Sequence, residues 1–203
     1  LNKNKNLTVI ALSKRGISKS RNFSINFAIK NKFKLLLFLD SDCHPNKNIL
    51  DYHLKKHNEY NNVEVIGGSV NASFLKKKVS LITKIDGMMS WFGALDLNCD
   101  YNVKFPYHIP TLNMSIKLKF LEKKKIKFSE NLETGEDYQF CKDVKKVSGK
   151  IKRIKNAMVN HEDRKNFSEV IKHQSTWGRH QYYTLYLPKY INKKIFNILF
   201  LIF

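Results

Sequence analysis

Arginine is scarce in this chain, and so are acids. Of its 203 residues 37 are Lys or Arg and 17 are Asp or Glu, for a net charge of +20, yet the guanidinium groups number five: Arg15, Arg21, Arg153, Arg164 and Arg179. The remaining cations are lysines scattered along the whole length beside many Asn, without the basic stripe and interleaved aromatics of a nucleic-acid-binding module. No nucleic-acid partner is therefore expected, and the five arginines, whose planar fork suits phosphate and carboxylate, carry more information than any lysine. Cysteine is equally sparse. Cys43, Cys99 and Cys141 are odd in number and form no Cys-x-x-Cys pair, which argues against a disulfide framework and for reduced thiols in a cytosolic compartment. No apolar run approaches the roughly 20 residues of a membrane-spanning helix. Residues 195–203 are apolar but short, and are expected to begin a membrane-associated helix after Lys193-Lys194. Internal repeats, Gly/Ser/Pro-rich linkers, a Gly-x-Ser-x-Gly elbow, a Walker lysine loop, Gly-x-Gly-x-x-Gly and His-Glu-x-x-His are all missing, which removes the commonest hydrolase, P-loop and zinc-protease chemistries.

What is present suffices for one folded domain, expected over residues 1–190: 42% of residues are hydrophobic, with 14 Phe and 9 Tyr. Residues 7–12 read as a short strand, and 35–39 as an unbroken apolar strand of the kind buried on both faces. Between them Phe23, Ile25, Phe27, Ala28 and Ile29 give a helical stripe that Ser18 or Ser20 can cap. Strand, helix and strand in this order predict a parallel βαβ unit, whose ligands bind where the strands end. A helix over 45–60 follows, with Ile49, Leu50, Leu54 and His57 on or near one face, then a strand over 63–70 in which Gly67-Gly68 suggests a bulge. Further helices are expected over 75–97, from 117, from 136 to about 149, and from 167 until Pro188 stops it. Residues 111–116 read as extended, and 151–159 alternate basic and apolar as a half-exposed strand does.

Two carboxylates at the end of a buried strand, Asp40 and Asp42 around Ser41, are hard oxygen ligands suited to Mg²⁺ or Mn²⁺; Asp and Ser also suit a plain solvated turn. Glu136 and Asp137 open a helix. They either complement its dipole or form a carboxylate pair in which one member accepts a proton.

In order, these segments resemble glycosyltransferase family 2, with its GT-A fold. Asp40-Ser41-Asp42 is similar to the family's Asp-x-Asp motif, and Gly16 to Asn22 to its Gly-x-x-x-Ala-Arg-Asn segment, with Ser20 in place of Ala. Gly135-Glu136-Asp137 resembles its Glu-Asp motif, His161 the histidine after the corresponding strand, Asn113-Met114-Ser115 its Asn-x-Ser segment, and Trp177-Gly178-Arg179 a stretch near the end of many family domains. The resemblance implies an α/β GT-A (Rossmann-like) fold with a mixed, mainly parallel sheet flanked by helices, whose first nucleotide-binding strand is missing from this fragment. It implies Asp137 as general base with Glu136 beside it, and Arg21, Asn22, Asp40, Ser41, Asn113 and Arg179 as contacts to a nucleotide-diphosphate sugar. Asp42 and His161 would hold Mn²⁺ or Mg²⁺, and the acceptor would be a glycan or lipid-linked hydroxyl, used in the cytoplasm or at the cytoplasmic face of a membrane surface. The alternatives are a basic nucleic-acid-binding module, which explains the charge but not the Asp-Ser-Asp strand end, and a metal-dependent phosphoryl hydrolase built on the same carboxylates.

Overall fold

The computed structural model describes residues 8–13, 16–71, 80–91, 94–95, 99–104, 107–132, 134–162, 164 and 166–184, with side chains to residue 178. Strands β1 (Leu35–Leu39), β2 (Cys43–Pro45), β3 (Val65–Val70), β4 (Tyr101–Asn102), β5 (Asn113–Lys117) and β6 (Ile151–His161) form one sheet. Helices α1 (Ile17–Lys30), α2 (Ile49–Glu59), α3 (Leu81–Trp91), α4 (Leu118–Lys124), α5 (Glu136–Lys146) and α6 (Phe167–Thr184) flank it. The class is α/β with a mixed sheet, in the order β1-β5-β3-β6-β2, with β4 also on β6.

The expected parallel βαβ unit does not form. Residues 8–12 are irregular and lie in solvent, Val9 at 82% exposure, and β1 pairs antiparallel with β5, Leu39 facing Asn113. An apolar run without a hydrogen-bonding neighbour buries nothing and gains nothing by extending. Nor is the sheet mainly parallel: among the pairings of the named strands only that of β3 with β6 is parallel. With β5 on one side only, β1 is half-buried instead of covered on both faces. The expected bulge is present, since the β3–β6 register breaks between Gly67 and Ser69. Of the helix expected over 45–60, Pro45 instead ends strand β2, and α2 begins at Ile49.

Each sheet face has its own core. On one, Met114 and Ile116 of β5 meet Ile25 and Ala28 of α1, Leu118 and Leu121 of α4, and Phe140 and Val144 of α5. Removing such side chains from water contributes about 1.5–3 kcal/mol apiece. The period-2 alternation of β5 turns Asn113 and Ser115 to the opposite face, toward α2. That helix is set the other way round from its leucines. Leu50 and Leu54 are 61% and 50% exposed, whereas His53 and His57 are buried.

The reason is a connected polar network. Asn113 Nδ2 donates to Ala157 O (2.8 Å) and Ser69 O (3.3 Å), so its Oδ1 accepts, and the His53 Nε2–H donates to it at 2.9 Å. His53 Nδ1 is then the acceptor for the Ser115 hydroxyl at 2.7 Å, and Ser115 Oγ in turn accepts from His57 Nε2 at 2.8 Å. These polar groups would be costly to bury alone and are stable to bury together. On α1 the pattern is mixed likewise: Ser18 and Asn22 are buried with Ile25 and Ala28, while the Phe23 and Phe27 rings stack partly exposed, 6.4 Å apart. Neither expected serine caps this helix, which opens on Gly16 without a side-chain cap. Among the described residues no helix is long and apolar enough to cross a membrane, and the apolar segment 191–203 lies outside them.

Two predictions follow from this packing. A Cβ on Gly68 would fall 2.1 Å from Ala157 O and from Asn113 Nδ2, so Gly68→Ala should cost at least about 2 kcal/mol in urea unfolding. Burial lowers the pKa of both histidines, His57 to about 4, helped for His57 by the Lys117 and His53 charges. The unfolded state, titrating near 6.5, binds the proton more readily, so stability is full above that pH and falls as pH drops toward 4. The loss by pH 4 should be on the order of 3 kcal/mol from His57. Unfolding curves of wild type and His57→Gln across this range check it, and a parallel decline in both would refute the assignment.

Candidate functional site

Arg21 is the point where distant parts of the sequence meet. It projects from the second turn of α1, where its guanidinium lies over the Phe128 ring at 5.5 Å. From there one nitrogen, Nη2, reaches Asp40 Oδ1 at 3.5 Å, just past the end of β1, while Nη1 donates to Glu136 Oε1 at the first turn of α5. Asn22, next in sequence, makes this possible from below. Its amide donates to Phe128 O (2.9 Å) and Glu130 Oε1 (2.9 Å), and its carbonyl accepts Phe128 N–H at 2.8 Å, which pins the loop that carries the ring. Phe128 is further fixed by stacking on Phe140 at 4.3 Å and by an edge contact with Phe38 at 5.7 Å.

Asp40 and Asp42 stand on a tight turn between β1 and β2, closed by Cys43 N–H donating to Asp40 O at 3.1 Å. Ser41 is exposed on the same turn. Partial burial raises the Asp40 pKa; Arg21 opposes the rise, and the Asp42 and Asp137 charges add to it. Burial first, then the Asp42 and Asp40 charges, push the neighbouring Cys43 thiol up to about 12, which leaves it protonated and unreactive. Asp42 is tied to the far end of β6. Cys43 pairs with His161 across the β2–β6 ladder, Glu162 N–H donates to Asp42 O at 3.0 Å, and His161 Nε2 lies 3.4 Å from Asp42 Oδ2. His161 is thus the last residue of the strand, not a loop residue beyond it, and the Trp91 ring packs on it at 4.7 Å.

Gly135, with φ of 73°, supplies the left-handed turn that admits the chain into α5, a conformation that favours glycine. Glu136 is buried, and burial followed by the Asp137 charge raises its pKa against the pull of Arg21. Asp137 Oδ1 accepts the Tyr138 N–H at 2.7 Å and lies 3.7 Å from His108 Nε2. Its other oxygen has no hydrogen-bond partner among the described residues.

The structure therefore brings Arg21, Asp40, Asp42, Glu136, Asp137 and His161 to one end of the sheet. Asn22 and Asn113 are buried, with their side-chain groups bonded inside the protein, Asn113 on the α2 side of the sheet. Arg179 lies in α6, and its side chain is outside the described residues. Three neighbours of the site, His108, Trp91 and Phe128, have no motif around them. Trp91 was legible as one aromatic in an apolar helix, while His108, set between Pro106 and Pro110, carries no periodicity at all.

A divalent cation can be tested against this donor set. Asp42 Oδ2 and His161 Nε2 stand close enough to share one ion, and among the described residues no group of three or more His, Cys, Asp or Glu is placed to enclose one. Two protein donors suit an ion that completes its shell with water and phosphate oxygens.

No protein-family model matches the sequence, and no curated protein does. Solved structures do share the fold. Residues 1–349 of S. aureus TarS in complex with UDP-GlcNAc superpose with a TM-score of 0.57 at 19% identity, over 80% of this chain and 44% of that one. A longer S. aureus TarS chain gives 0.53 at 18% identity, over 82% of this chain and 28% of its own length, and a mycobacterial protein gives 0.50 at 12%, over 79% and 48%. This chain spans less than half the length of each of these proteins, and its fold is the one they share.

Proposed function

We propose that this chain is the catalytic part of a glycosyltransferase that moves a sugar from a nucleotide-diphosphate sugar to an acceptor hydroxyl with inversion. The observation that carries the reading is the convergence on Arg21: one guanidinium joins the strand-end carboxylate Asp40 to Glu136, and so sets Asp137 on the same end of the sheet as Asp42 and His161. The shared fold with a protein crystallised with UDP-GlcNAc supports the same class of donor.

Asp42 and His161 would hold Mn²⁺ or Mg²⁺, which when bound neutralises charge building on the departing diphosphate. Ser41 and Asp40 line the turn beside it. Asp137 takes the acceptor proton through the oxygen that Tyr138 N–H leaves free, as the acceptor oxygen forms its bond to the anomeric carbon and the bond to the diphosphate breaks. Attack on the face opposite the leaving group inverts the anomeric carbon. Glu136, held by Arg21, keeps the helix end and its neighbour in place. Arg179 is assigned to the diphosphate from α6. The acceptor is a glycan or lipid-linked hydroxyl, and the full protein works at the cytoplasmic face of a membrane.

Asp137→Asn should keep donor affinity and lower transfer by about 10²–10⁴, since the amide cannot take the proton. Calorimetry with the UDP-sugar and single-turnover assays on the complete protein check this, and phosphate release without transfer would instead favour the hydrolase. Asp42→Ala should abolish the Mn²⁺ dependence of UDP binding with the melting temperature unchanged, because the side chain is half-exposed at a strand end. An unaltered Mn²⁺ response would remove Asp42 from the site.

A further inference from the structure

Helix α3 is built inside out. It buries Thr83, Asp86, Gly87 and Trp91, and turns Leu81, Ile85, Met88 and Met89 outward, at 74%, 42%, 47% and 69% exposure. These four positions follow the spacing of a single helical stripe. Its orientation is held from within. The Asp86 carboxylate, 3% exposed, accepts from Arg164 Nη1 at 3.3 Å and from Gln174 Nε2 at 2.5 Å, both from α6 or the segment leading to it. Thr83 Oγ1 and the Ser80 hydroxyl are bonded at 2.9 Å. Rotating the helix to hide its methionines would strip Asp86 of these partners and turn the buried Trp91 ring toward solvent. The neighbouring α6 also leaves Phe167 and Ile171 exposed, at 60% and 51%.

We infer that the outer face of α3 is an interfacial contact for an anionic lipid surface. Charge complementarity selects this occupant. The chain carries +20, Lys76-Lys77-Lys78 stand ahead of the helix in sequence, separated from it by Val79 and Ser80, and Lys84 lies within it. An apolar stripe with basic flanks enters the headgroup region of acidic bilayers, each lysine near the surface adding attraction. A second copy of the chain would instead bring two strongly cationic bodies together. The contact also has the right place. The last residue of α3, Trp91, packs on His161, so a helix lying in the interface holds the candidate site at the membrane surface, within reach of a lipid-linked acceptor. The inference rests on the glycosyltransferase reading for that acceptor, but not for the contact.

The test is flotation of the full chain with vesicles of phosphatidylcholine alone or mixed with phosphatidylglycerol, at low and high salt, with UDP binding measured separately. Wild type should bind the mixed vesicles, less at high salt. Met88→Glu/Met89→Glu should weaken that binding by about tenfold or more while Met88→Leu/Met89→Leu keeps it, and both variants should melt like wild type. The proposal is overturned by absence of vesicle binding in wild type, or by equal binding of the glutamate variant, which would assign it to scattered lysines. Loss with Leu199→Glu but not with the α3 variant would assign the contact to residues 195–203. Self-association without vesicles that the glutamate variant abolishes would make the face a homo-oligomer interface. Vesicle binding without UDP binding would overturn the donor reading and leave this one standing.

Discussion

A single guanidinium organises the candidate site. Arg21 faces two carboxylates that belong to opposite halves of the chain, and each is partly removed from water. Without a cation between them Asp40, Glu136 and the nearby Asp137 would repel one another in a setting where burial already raises two of their pKa values. Arginine suits this place better than lysine because its flat fork serves two acceptors at once and its face rests on the Phe128 ring. The Asn22 clamp, the Phe128–Phe140 stack and the glycine entry to α5 all bear on where that fork lies. The candidate site is in this sense an electrostatic knot supported by aromatic packing, and the turn of Asp40 to Asp42 hangs from it.

The second organiser is β6. It is the longest strand, pairs with β3, β4 and β2, and carries the sheet from its core to the histidine beside Asp42. Near its buried start Arg153 donates to Gly68 O at 3.0 Å and His108 O at 2.9 Å, so a cation is held by carbonyls, and burial lowers its pKa. That links the β3 bulge to the loop bearing His108 and hence to the surroundings of Asp137.

Much of the candidate site's geometry was legible because its residues sit at element ends. An apolar run followed by Asp-Ser-Asp, and Gly-Glu-Asp before a helix, announce both the residues and their positions, and Arg21 was readable as one of few arginines. The pairing of strands was not legible: nothing in residues 35–39 says whether the neighbour is 7–12 or 113–117, since an apolar run lacks directional information. Helix faces misled for a related reason. Hydrophobic periodicity assumes that apolar side chains point inward, yet in α2 and α3 the inward stripe is polar and satisfied by partners far away in sequence. Asn22 shows the converse case, a residue of a recognisable motif whose side chain is spent on the backbone of residue 128.

Asn22, Asn113, Arg153 and Lys117 share one habit: each directs at least one donor at a main-chain carbonyl. A carbonyl oxygen is present whatever side chain its residue bears, so such anchors place no demand on the identity of the residue they hold. The partner position is free to drift in evolution as long as its backbone path persists. A framework pinned in this manner can absorb a heavy turnover toward lysine and asparagine over the rest of its surface.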